Sequence, residues 1–150
     1  MTSNRPENPA KVFLRQYRAL CIRADGLSRA IDEAKERAMS TAVRLKPVMV
    51  QGGGGAYDRM AEDVCRAADA SESLYKELIK AQGKIREILD VIAAVPDEMQ
   101  KAVLTLRYIE GLDWITISQR ISYEERQTFV IHGRALLVVN EILKSAGKCS

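Results

Sequence analysis

Aromatic residues make up 5% of this 150-residue chain, with one tryptophan and one histidine. Against that scarcity stands an abundance of Ala, Glu, Lys, Leu and Arg, a mix that favours long helices over a sheet. Cysteine is sparse too: Cys21, Cys65 and Cys149 are an odd, scattered set with no CxxC spacing. This speaks against a disulfide framework and for a reducing cytosol. No apolar run reaches 18 residues and no charged-then-apolar leader opens the chain, so neither a membrane span nor a signal peptide is expected. A cytoplasmic protein without membrane partners follows as the expectation.

Catalytic patterns are missing as well. His132 has no Cys or second His at ligand spacing, which gives no metal site. There is no Ser/His/Asp set and no HExxH. The glycine-rich "GGGGAYD" lacks the Lys-Ser/Thr that would grip a phosphate. The sequence therefore predicts neither an enzyme nor a cofactor.

Net charge is only +3, but it is unevenly placed. Residues 1–40 hold 8 basic and 5 acidic groups, residues 41–95 hold 8 of each, and residues 96–150 hold 7 of each. The basic excess lies in the N-terminal arm, with Arg5, Lys11, Arg15, Arg18 and Arg23.

What the chain does have is two long apolar stripes. The first runs Phe13, Tyr17, Leu20, Ala24, Leu27, Ile31, Ala34, Ala38, Thr41, Leu45, in alternating steps of four and three. The second runs from Tyr57 through Met60, Val64, Ala67, Ser71, Leu74, Leu78, Ala81, Ile85, Ile88 and Ile92 to Val95. Such heptad seams mark helices that pack along their length. Between them, Pro47 cannot continue a helix and four glycines hold no preferred conformation, so residues 46–56 read as a flexible turn. The expected architecture is all-α: a long antiparallel, coiled-coil-like hairpin over residues 1–95, then a helical domain over residues 96–150.

That second domain has its own punctuation. Pro96 stops the long helix, and Asp97 stands where an N-cap belongs. The next segment buries some of Met99, Val103, Leu104, Leu106, Tyr108 and Ile109, and Gly111 ends it. Asp113 caps a short helix showing Trp114, Ile117 and Ile121 on one face. After the break at Ser122-Tyr123-Glu124, a longer helix turns Thr128, Ile131, Ala135, Leu136, Val139 and Leu143 inward. His132, beside that face, reads as buried and hydrogen-bonded, and Trp114 as a plug at the helix junction. Three helices with a tight turn before the last are what a helix-turn-helix requires.

The residues themselves add to the spacing. "VLTLRYIEGLDWITISQRI" resembles the opening of sigma factor region four. "RQTFVIHGRAL" resembles the third helix of the phage late-transcription regulators called ArpU and RinA. Arg107, Tyr108, Ile109, Gly111, Trp114 and Ile117 carry the first half of the likeness. Tyr123, Gln127, His132, Ala135 and Leu136 carry the second. The coiled N-terminal half, opening on "YRAL", and the mid-chain break are similar to that family's layout. The likeness covers nearly all of the chain, and is specific over residues 103–136. Set against the pattern, Ser122 replaces a turn Gly, Glu124 a Ser or Thr cap, and Thr128 an inward Val.

The resemblance implies a phage or prophage transcriptional regulator of late genes. It would bind double-stranded DNA as a homodimer or higher oligomer, or alongside host RNA polymerase. On the third helix the groove-facing candidates are Glu125, Arg126, Phe129 and Val130, with Arg134 further along. Arg126 suits guanine O6 and N7, and Glu125 suits cytosine N4. Phosphate contacts fall to Arg107, Thr116, Gln119, Arg120 and Arg134. Because residues 96–150 are net neutral, the isolated domain should bind DNA weakly without dimerisation, a polymerase partner or the basic arm. Two other readings fit the same sequence. One is a helical protein-interaction adaptor with a degenerate helix-turn-helix; the other is a DNA-packaging adaptor like a terminase small subunit.

Overall fold

The computed structural model describes residues 5–45 and 54–148, and every regular element among them is helical. Helix α1 spans Pro9–Leu45, α2 Gly54–Ala93, α3 Glu98–Leu104, α4 Trp114–Ile121 and α5 Glu125–Ser145. Helix α3 runs directly into a single π-helical turn, Thr105–Ile109. No described helix is long and apolar enough to cross a membrane. Most of the flexible turn expected over residues 46–56 lies outside the described residues, and the chain is already helical from Gly54.

Two compact units emerge. Residues 1–21 and 83–150 make up the first, and residues 22–82 the second. The outer ends of both long helices thus belong with the segment that follows Pro96.

In the first unit, a core gathers around Ala10, Leu14, Ile88, Ile92, Val95, Leu104, Ala135, Val139 and Leu143, none more than 4% exposed. Each fully buried Leu or Ile here contributes roughly 1.5–3 kcal/mol. A smaller cluster of Val103, Ile117 and Ile131, flanked by Met99, Leu106, Leu112, Trp114 and Ile121, fills the angle where α3, α4 and α5 meet. Polar bonds fix the entry of α1. Asn8 Oδ1 accepts from the Ala10 amide at 3.0 Å, as an N-cap should just ahead of a Pro at the first helical position. Asn140 of α5 reaches the same turn: its Oδ1 also accepts from Ala10 N at 3.0 Å, and its Nδ2 donates to Asn8 Oδ1 at 3.1 Å. A pair of asparagines therefore ties the start of α1 to the middle of α5.

In the second unit, Ile31 and Ala81 are buried, while Leu27, Ala34, Leu74 and Leu78 are half-buried. Arg23 pairs with Glu77, and the Lys35 ammonium lies 5.3 Å from the centre of the Tyr75 ring. A layer only two helices thick covers each stripe from one side, so its seam stays partly wet. Ile22, Met39 and Ile79 point outward at 65–72% exposure.

Candidate nucleic-acid interface

The local geometry around residues 96–146 follows from its caps. Asp97 accepts from the Gln100 amide at 2.8 Å to start α3. Asp113 accepts from the Thr116 amide at 2.7 Å to start α4. That second bond, with one from the Thr116 side chain, holds the Asp113 carboxyl below its ordinary range. Gly111, at φ +73°, reverses the chain between them. Helix α4 ends on Ser122, which takes the left-handed conformation at φ 60° and ψ 39°. Glu124 precedes α5 in extended conformation and makes no side-chain cap bond. Thr128 is fully buried at the turn: its hydroxyl donates to Glu124 O at 3.0 Å, and Ser118 Oγ lies 3.0 Å away. A hydroxyl pair thus replaces the apolar contact that Val would make there.

The inner face of α5 is as the spacing predicts: Thr128, Ile131, Ala135, Leu136, Val139 and Leu143 are all buried, with His132 among them. The opposite face carries Arg126, Phe129, Val130 and Arg134, all exposed, and Glu125 is exposed as the first residue of the helix, in line with the buried Leu143. One helical surface therefore gathers four of the five groove-facing candidates, with Phe129 at 47% and Val130 at 40% exposure. Phe129 does not stand free, since its ring centre is 4.9 Å from that of Trp114. Among the described residues, Arg126 and Arg134 enter no ion pair.

The phosphate candidates are more dispersed. Gln119 is exposed on α4 and Thr116 is half-buried. Arg120 is engaged with Glu110 at 2.8 Å. Arg107 is turned inward over the Trp114 ring, 4.6 Å from its centre, and its Nη1 donates to Leu112 O at 2.9 Å.

Behind Trp114 sits a cluster whose assembly the sequence does not display. Tyr108 Oη and His132 Nε2 share a hydrogen bond of 2.9 Å, and the His132 ring meets Trp114 edge-on at 4.7 Å between centres. Burial, then the charges of Lys11 and Arg107, push the imidazole down to about 4, so it is neutral at pH 7. Burial raises the Tyr108 hydroxyl, while Arg15 and Arg107 pull it the other way. The N-terminal basic residues thus lie against this domain. Residues 1–21 carry four basic groups to one acidic, and residues 83–150 carry nine of each. The whole net charge of the chain falls within the first compact unit.

A scan against known protein families, a search of characterised proteins and a search of solved structures each returned no match.

Proposed function

We propose that this chain is a phage or prophage transcriptional regulator that binds duplex DNA through α4, the turn at residues 122–124, and α5. In this reading α1 and α2 form an antiparallel, coiled-coil-like hairpin, and the segment after Pro96 is a sigma region four-like helix-turn-helix. The exposed half of α5 enters the major groove with Arg126 and Glu125 at base edges, and α4 crosses the backbone. The protein acts in the bacterial cytoplasm, as a dimer or higher oligomer or beside RNA polymerase.

One observation carries this reading: Arg126, Phe129, Val130 and Arg134 share an exposed face of α5, with Glu125 exposed at its start, directly after a three-residue turn, while Lys11, Arg15 and Arg18 of α1 fold into the same unit. A net-neutral domain has few cations to displace phosphate counterions, but Lys11, Arg15 and Arg18 supply what residues 96–150 lack.

Selection of bound sequences from a random duplex library, using the full-length chain, tests the proposal. The expected result is an enriched motif bound with steep salt dependence, and a loss of about 1–3 kcal/mol of discrimination at one base pair in Arg126→Ala. No enrichment over random duplex at low salt would overturn it. A second reading, a protein-interaction adaptor, is favoured by the exposed Ile115, Phe129, Val130 and Leu137. It predicts that the same chain ignores duplex and that Phe129→Glu abolishes capture of a protein partner.

A further inference from the structure

The cations of α1 do more than raise the net charge of their unit. Lys11, Arg15 and Arg18 follow one another at steps of four and three, so they share one side of α1. With Arg107 they line a recess of about 480 Å³. Its remaining walls are Tyr108, Trp114, His132 and the backbone of Gly111. Among the described residues, Glu7 pairs with Arg15, and Asp113 lies near enough to Arg107 for its charge to be felt.

We infer that this recess is a binding site for a phosphoryl oxyanion, carried either by a small phosphorylated ligand or by a nucleic-acid backbone. The inference does not rest on the regulator reading, since it needs only the residues that line the recess.

Three features argue for it. Four like charges around one cavity repel one another, and an anion at their centre converts that repulsion into charge-assisted hydrogen bonds. The walls supply donors of the right kind: the Lys11 ammonium, the Arg18 guanidinium, and the donors that Arg15 and Arg107 keep beside their bonds to Glu7 and the Leu112 carbonyl. With the imidazole proton on Nε2, the Tyr108 hydroxyl is left to donate into the cavity as well. At the rim, Gly111 has a positive φ and no Cβ, and the Arg18 guanidinium lies against it. The potential at the floor is already positive, because the charges of Lys11 and Arg107 add to burial in depressing His132.

Trp114, the only tryptophan, lines this recess and so reports on it. In the full-length protein, titration with sodium sulfate, inorganic phosphate or pyrophosphate is followed by its fluorescence, against sodium chloride at matched ionic strength. The expected result is a saturable change, at least tenfold weaker in Lys11→Ala/Arg18→Ala and unaltered in Arg126→Ala. Sulfate, a dianion across the range, should also raise the His132 titration midpoint from about 4 by a unit or more, read from its ring resonances. A response to sulfate no different from that to chloride, or one unchanged in the double variant, would overturn the inference. Duplex DNA separates the two sources. If the backbone fills the recess, sulfate displaces duplex beyond the chloride control. If a small ligand does, sulfate-saturated protein binds duplex as well as before. Loss of duplex binding in Arg126→Ala with sulfate binding intact would separate this site from the groove-facing surface.

Discussion

His132 is held at about pKa 4 against an ordinary 6.5, chiefly by burial and then by the charges of Lys11 and Arg107. Its sign in the pH dependence of stability follows. Between pH 6.5 and 4 the unfolded chain binds a proton that the folded chain refuses, so stability falls as the pH drops through that window. Above 6.5 the effect is absent, and below 4 it grows no further. The loss over the whole window is of order 3 kcal/mol. Urea unfolding of wild type and His132→Gln at pH 7 and pH 4.5 should show the wild type losing more; equal losses would contradict a buried neutral imidazole. Ser122 is a second pressure point. Left-handed backbone costs an L-residue about 1–2 kcal/mol, so Ser122→Gly should stabilise by about 0.5–1 kcal/mol after the entropy of glycine is counted. Thermal unfolding checks this, and a lower midpoint would refute it.

At the scale of elements, the starts and stops were legible because they are local chemistry. Asp97 and Asp113 cap where their position before an apolar run predicts, and the inner face of α5 follows from 3.6-residue spacing. Two features were not. The π-helical turn at Thr105–Ile109 has no compositional mark, since Glu110 N reaches Thr105 O as readily as a neighbouring carbonyl. Nor does periodicity reveal against what a stripe is buried. Leu14 is not among the seam residues that the spacing picks out, which start at Phe13, yet it is fully buried in a core that includes Ala135, Val139 and Leu143 of α5. The Asn8–Asn140 clamp, 132 residues apart in sequence, holds it there. Two predictions follow from this packing. Leu14→Ala should cost about 2–5 kcal/mol, measured by chemical denaturation. A fragment of residues 96–150 should lack a cooperative thermal transition in circular dichroism, because it forfeits the core contacts of Ala10, Leu14, Ile88, Ile92 and Val95. A fragment that melts as sharply as the whole chain would show those contacts to be dispensable.

For the whole molecule, the distribution of charge decides more than its total. The candidate surface of α5 could be read from sequence, residue by residue, as Glu125, Arg126, Phe129, Val130 and Arg134. The cations near it could not, because Lys11, Arg15 and Arg18 are about 90 residues away along the chain and meet Arg107 and Trp114 only through the fold. The same folding explains why a neutral C-terminal segment need not mean a neutral unit. The most direct test is photocrosslinking from α5 itself, with a benzoylphenylalanine at position 129 in place of Phe129, in the full-length chain with its selected duplex. The account predicts crosslinks to DNA that vanish when the motif is scrambled. The same probe at Ile79, an exposed residue of the second compact unit, should give none. Crosslinks from position 129 that go only to protein, with duplex present and saturating, would contradict it.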